Sequence, residues 1–408
     1  MSPAKILIAH EFYHSPFEWE NEEFMLQELA ARYRRNLFES VIPFWMDHSL
    51  DRVHGGHYNC LARDGRVYDP RKYVWMQGRA VWMFSKLYNE VEQRPEWLDA
   101  ATLILRFLDA HATNEHGRTW FSLTAEGLPV FEQRKPYAAF FHLLALVEYS
   151  KTGATGDFLP RARQLYANIL AWMQNPSLLG RPALAGQTPM RALADVYVKA
   201  FMALELRAVD PNPAYDALLR QCLIEAREHW LPSHRTLVEN KAATMDLPDA
   251  RLLCPGSALE VSWLMWHVLE ALAIEDPDYE RFLLEVIEGS LETGWDPEHG
   301  GLYYFLDAHG LPPLQLEANM KLWWPHTEAI YALILAYAKT RGEKWLRWLE
   351  RVDRYTFSTF PDPQHGEWFG YCDRSGKPAL TLKGGPYKGF FHVPRCLLFS
   401  LQRLQSIA

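Results

Sequence analysis

The 408-residue sequence predicts an all-α fold, an (α/α)6 barrel of six helical hairpins with short β-hairpins in the long loops on one face. Three observations carry this prediction: a loop motif that recurs along the chain, apolar residues at helical spacing, and connections that alternate between short and long.

The motif opens at Asp51 (DRVHGGHYNCLARDG), Asn114 (NEHGRTWFSLTAEG), Asp296 (DPEHGGLYYFLDAHG) and Asp362 (DPQHGEWFGYCDRSG). Each copy has an acidic or amide residue, then His-Gly, aromatics and a further Gly. The starts lie 63, 182 and 66 residues apart, and 182 is close to three units of 61, which places two degenerate copies near Asn175 and Ser233. Six units of about 60 residues follow. Glycine permits the tight turns and the aromatics favour extended backbone, so these segments are expected to form short hairpins. The recurring His54, His116, His299 and His365 fit a loop-stabilising hydrogen bond better than catalysis.

Between the loops, apolar residues recur at i, i+3, i+4, as in EEFMLQELAARYRRNLF. The pattern predicts helices over 20–46, 72–92, 96–112, 135–151, 157–174, 188–208, 212–230, 256–273, 277–294, 321–340, 343–357 and 386–405. Connections after even-numbered helices are a few residues long and marked by Pro or Gly, whereas those after odd-numbered helices run from about 13 to 28 residues. A ring is favoured over an open solenoid because the last helix, KGFFHVPRCLLFSLQRL, is apolar over much of its circumference and needs burial. The chain divides into an extension, 1–24, and one domain, 25–408.

Composition narrows the function. A net charge of −8 without a long basic run argues against nucleic acid. No 18-residue apolar stretch offers a membrane span, and the start lacks an export signal. Five scattered cysteines (Cys60, Cys222, Cys254, Cys372, Cys396) without a CxxC pair read as free thiols in a reducing cytoplasm. No HExxH or complete His/Cys/carboxylate set marks a metal site, and KGGPYKG lacks the spacing of a phosphate loop.

If the even-numbered helices form the inner wall, their N-termini gather on the long-loop face, each with about half a positive charge and unpaired N–H groups. Arg79, Arg134, Tyr137, Met190, Arg191, Glu260, His326, Glu328, Lys388, His392 and Arg395 all fall near these ends. Arg79 reads as an anion partner or a buried salt bridge, and His392 as an acid–base group or a satisfied core histidine. Glu260 and Glu328 fit either chemistry or helix capping, and Trp323 and Trp324 either core packing or a sugar platform.

At KLWWPHTEA (321–329), KGGPYKGFFHVPRCL (383–397), YVWMQGRAVWMF (73–84) and PGSALEVSW (255–263), the sequence resembles the N-acylglucosamine 2-epimerase family, which includes renin-binding protein, cellobiose 2-epimerase and aldose–ketose isomerases. The resemblance implies the same barrel, inversion at C2 of an aldose through an enediolate, a monosaccharide or amino-sugar substrate, homodimers and, in some members, ATP as an effector that is not consumed. It implies no cofactor. It matches Arg79 to an anion-stabilising arginine and His392 to one of two catalytic histidines; with the residues read above, catalysis is expected at His392, Arg79 and Glu260, and substrate contacts at Trp323, Trp324, His326, Glu328, Trp368, Met190 and Ser257.

One residue departs from the pattern. The family's second histidine belongs in a segment reading PGHxxE, where this chain has Ser257. A hydroxyl is too weak an acid or base to replace imidazole directly. The departure leaves a second base from Glu260, His326 or water, a one-base aldose–ketose isomerisation at His392, or a weakly catalytic sugar-binding protein; an (α/α)6 hydrolase or lyase using Glu260 and Glu328 is a further alternative.

Overall fold

The computed structural model describes residues 22–407 apart from positions 183 and 187. The outer layer consists of α1 (Glu22–Asn36), joined through a π-helical turn (Leu37–Val41) to α2 (Ile42–His48), then α4 (Pro95–His111), α6 (Phe158–Gln174), α8 (Pro213–Glu228), α10 (Pro277–Gly294) and α12 (Glu343–Thr359). The inner layer consists of α3 (Val74–Glu90), α5 (Tyr137–Ser150), α7 (Leu193–Arg207), α9 (Pro255–Leu272), α11 (Trp323–Thr340) and α13 (His392–Ile407). Proline opens α4, α8 and α10, where its missing N–H is no loss, and the Asn212 and Asp276 side chains accept from backbone N–H groups in the first turns of α8 and α10.

Outer helices bury one stripe, as in α12, where Trp345, Leu346, Leu349, Val352 and Thr356 face inward. Inner helices are buried over most of their circumference. In sequence order each inner helix packs on the next, and Trp82 of α3 meets Phe391 and Phe399 beside and on α13, which closes the ring. The six-hairpin barrel is therefore present. The extension expected over 1–24 lies, up to residue 21, outside the described residues.

The long loops all start from the C-terminal ends of outer helices and carry short strands. β1 (Lys72–Tyr73) pairs with β2 (Ser122–Leu123) and β2 with β3 (Pro129–Phe131); β10 (Lys321–Leu322), β11 (Tyr371–Cys372) and β12 (Pro378–Leu380) form the same three-stranded arrangement. β4 (Arg191–Ala192) pairs with β7 (Asn240–Lys241), β5 (Trp230–Leu231) with β6 (Thr236–Leu237), and β8 (Leu252–Leu253) with β9 (Leu306–Asp307). Most of these pairings clip one unit's loop to the start of the preceding inner helix. The first N–H of α3, α7 and α11 donates to Phe121, Glu239 and Gly370 of the following loop.

The recurring motif is a clamp. Asp51 accepts from the N–H of Val53 and His54 and from the buried Lys72 ammonium, and Asp296 accepts from Glu298, His299 and Lys321. Asp362 pairs with Lys383 and Arg63. The expected loop-stabilising bond exists, but three of the histidines supply it through the main chain, and all four imidazoles are exposed.

The last helix begins at His392 rather than at 386. Lys388 holds the preceding segment as a loop by donating to Glu367 Oε1 and to the Lys383 carbonyl, both at 2.7 Å. Gly389 packs so close to Met76 that a Cβ there would lie 2.7 Å from its Sδ. Lys388 therefore anchors this loop and does not belong to the helix.

Candidate active site

A cavity of about 610 Å³ opens at the N-terminal ends of the inner helices, a size typical of small-molecule sites. Trp75, Arg79, Tyr197, Glu260, Trp324 and His392 form its working surface, with Trp323, Leu322, Tyr304, Glu317, Tyr371 and Tyr387 completing the wall. The helix register explains the convergence: Arg79, Glu260 and Glu328 each stand five residues after the first residue of α3, α9 and α11, and His392 and Arg395 lie in the first turn of α13.

His392 Nδ1 is 2.8 Å from Glu328 Oε1. A carboxylate at that distance accepts the Nδ1 proton, which leaves the basic Nε2 for the cavity. Burial, together with the neighbouring Arg395 and Arg79 cations, holds the imidazole well below its ordinary range, against an opposing pull from Glu260. It is therefore neutral and ready to accept a proton at neutral pH. Glu328 is fixed in turn: Oε1 also accepts from Arg395 at 2.7 Å, and Oε2 accepts from Trp263 Nε1 at 2.9 Å.

Arg395 ties the floor together, donating to Glu260 Oε1 at 2.7 Å and to the Tyr197 hydroxyl at 3.1 Å. Glu260 is raised by burial and by Glu328, with Arg395 acting in opposition. Ligand atoms of Glu260, Glu328 and His392 fall within 4.8 Å of one another, close enough to hold a metal, but Arg395 already donates to both carboxylates and an entering cation would have to displace it.

Arg79 is different. No carboxylate among the described residues forms an ion pair with it, and its buried Nε has no hydrogen-bond partner there. Three aromatic rings hold the guanidinium instead, Phe141 at 4.2 Å, Trp75 at 4.6 Å and Phe391 at 4.8 Å. Burial pulls it down to about 10, so it stays charged and available to an anion.

The matching family profile, that of N-acylglucosamine 2-epimerase (GlcNAc 2-epimerase), covers residues 56–396. The chain belongs to this family. It is 39% identical to the N-acylglucosamine 2-epimerase of Rattus norvegicus, over 95% of this chain and 94% of that protein, and 37% identical to the Homo sapiens protein of the same name, over 96% and 93%. The solved cellobiose 2-epimerase of Bacillus thermoamylovorans B4167 superposes with a TM-score of 0.80 at 20% identity, covering 92% of this chain and all of that one, which confirms the barrel.

Of the residues expected at the site, His392, Arg79, Glu260, Trp323 and Trp324 line the cavity, and Glu328 stands directly behind His392. Three expected contacts lie elsewhere. His326 is buried on the outer side of α11, stacked on Tyr355, with Nδ1 donating to the Leu322 carbonyl and Nε2 accepting from Leu302 N–H. Both nitrogens are used, and burial pushes the ring down to about 3. Trp368 is buried between Phe357 and Phe360 and donates to Asn36, so it packs the outer wall. Met190 lines a separate cleft near Tyr137 and Asp195. Arg134 and Arg191 also leave the cavity, Arg134 to the Gly180 carbonyl and Arg191 to Glu228.

Trp75 and Tyr197 were missed, although Trp75 precedes Arg79 by one helical turn and shares its face. Ser257 is half-buried on α9, one turn before Glu260 and on the same helix face as that cavity residue. Beside it stands Glu239, the last residue before β7.

Proposed function

We propose that this protein is a sugar 2-epimerase that inverts C2 of an N-acylated amino aldose through an enediolate. The observation that carries the reading is His392: its Nδ1 is engaged by Glu328, its Nε2 is left to a cavity walled by aromatic rings, and an uncompensated arginine stands in the same cavity. The high identity to N-acylglucosamine 2-epimerases supports the substrate class.

In the ring-opened sugar, Nε2 of neutral His392 takes the C2 proton, and the C–H electron pair moves toward C1, placing negative charge on the carbonyl oxygen. Arg79 faces that developing oxyanion. Glu328 stabilises the imidazolium as it forms, and Arg395 fixes Glu328 and Glu260 in place. Return of a proton to the opposite face gives the epimer. Glu260 and Glu328 share one guanidinium on one side of the cavity, an arrangement unlike the opposed carboxylates of a glycosidase.

No cofactor enters this scheme. A homodimer, a cytoplasmic setting suited to five buried free cysteines, and ATP as a non-consumed effector belong to the same proposal. Light scattering and assays with and without ATP check two of them. The main test incubates the protein with N-acetylglucosamine or N-acetylmannosamine in D2O and follows C2 by NMR. Deuterium uptake with epimer formation is expected, along with loss of both in H392N; absence of exchange in the unaltered protein refutes the reading.

A further inference from the structure

Inversion at C2 needs a proton donor or acceptor on each face of the sugar, and the two side chains first considered for the second face are placed wrongly for it. Glu260 lies on the His392 side, its carboxylate close to Glu328 and shared with Arg395. His326 is locked to the backbone outside the cavity.

Glu239 is not. Its main chain joins two inner-helix starts: its carbonyl accepts from Leu193, the first residue of α7, and its N–H donates to Leu252 just before α9. In a ring ordered α3, α5, α7, α9, α11, α13, helix α7 is three places from α13 in either direction, so Glu239 stands across the barrel from His392. Phe121 and Gly370 hold the equivalent position in other units, and both adjoin cavity tryptophans, Trp75 and Trp323.

The Glu239 side chain is half-buried, and its Oε1 is buried without a hydrogen-bond partner among the described residues. The Ser257 hydroxyl faces the carboxyl, and Cys254 just before α9, Glu260 of α9, Tyr304 of the next loop and Tyr137 of α5 feel its charge. Among the described residues no cation pairs with it to fix it as a permanent anion; burial pushes it up to about 7, with Ser257 opposing, so both protonation states are populated near neutrality.

We propose that Glu239, acting across the Ser257 hydroxyl, is the acid–base group on the face of the sugar opposite His392, and that the pair takes over the part of the absent second histidine. This rests on the epimerase reading above. In one direction His392 Nε2 gains the C2 proton, the enediolate forms, and the Glu239 carboxyl gives its proton to Ser257 Oγ as the Ser257 proton moves to C2. The cycle leaves imidazolium and carboxylate, which reset by exchange with water. In the reverse direction the carboxylate draws the proton away through Ser257, and the imidazolium returns one.

The test compares wild type, E239Q and E239Q/S257H with both N-acetylhexosamine epimers in D2O. E239Q is expected to lose epimer formation by about 100-fold or more, while one epimer, the one whose C2 hydrogen faces His392, still exchanges within about tenfold of wild type. A merely structural role does not separate the two faces. Adding S257H restores epimer formation by about tenfold or more. E239Q that epimerises within about threefold of wild type, or that loses exchange with both epimers, overturns the proposal, as does a folded E239Q/S257H variant without recovery. Wild type that exchanges neither epimer overturns the epimerase reading itself, so the two failures are distinguishable.

Discussion

Replacing Arg79 by methionine separates stability from activity in opposite directions. The guanidinium is buried, has no carboxylate partner among the described residues and is drawn down to about 10, a depression equivalent to about 3 kcal/mol against the charged form. Removing it relieves that penalty and gives up cation–π contacts with Trp75, Phe141 and Phe391, worth about 2 kcal/mol or more for a desolvated cation. Methionine has comparable length and makes favourable sulfur–aromatic contacts in the same ring cage. The folded state is therefore expected to gain at most about 1 kcal/mol, seen as a melting temperature no lower than that of wild type in calorimetry. Catalysis moves the other way, because loss of one partner to a developing oxyanion costs about 3–4 kcal/mol, or about 100- to 1000-fold in kcat. A variant that melts several degrees lower, or that retains kcat within about tenfold, refutes the assignment of Arg79 as a free anion partner.

Three further outcomes follow from the geometry. E328Q exchanges a charge-assisted bond to His392 for a neutral one and turns an amide on either His392 or Trp263, so kcat falls about 10- to 100-fold while KM stays within about threefold in steady-state assays. H326A removes two bonds to backbone groups and a ring stack, and is expected to lower stability by about 2–4 kcal/mol in urea unfolding while kcat of the remaining folded protein stays within about threefold. Burial acts to raise Asp51, Asp296 and Asp362, but their lysine, arginine and backbone partners overcome it and hold all three below the ordinary carboxylate range, Asp51 at about 2. With folded values below unfolded ones, this stabilisation is complete above about pH 4 and lost as pH falls toward 2, so melting temperatures decline across that window and less steeply in D51N.

The recurring turn was visible in the sequence because its chemistry restricts residue type, an aspartate to collect N–H groups and glycines at positive φ such as Gly55 and Gly300; the buried Lys72 and Lys321 that complete the clamps lie outside the motif and gave no such signal. The inner layer was equally plain, since only a fully enclosed helix tolerates a segment such as YAAFFHLLALVEYS. Within the site, distance along each helix was readable and rotation about its axis was not. His326 and Glu328 are two residues apart in one first turn, yet one points to the outer wall and the other to His392. Trp368 was drawn toward the cavity by loop position and Met190 by a helix expected from 188, but Phe360 claims the first, and α7 starts only at Leu193, leaving the second in a neighbouring cleft. The start of α13 was misjudged because Lys388 takes its partners, Glu367 and Lys383, from outside any helical pattern. Glu239 gave no periodic signal, since it lies in a connection whose neighbours are strands of two residues.

The loop between α10 and α11 contributes Glu317 to the cavity wall while leaving Leu311, Leu314 and Leu316 largely in solvent, and Tyr387 from a different loop is also exposed at the mouth. The groups proposed to move protons, by contrast, sit deeper, His392 in the first turn of α13 and Glu239 bonded between the starts of α7 and α9. Entry and chemistry are thus physically uncoupled, so segments grafted from relatives that accept longer saccharides could widen the doorway without disturbing the engine beneath it.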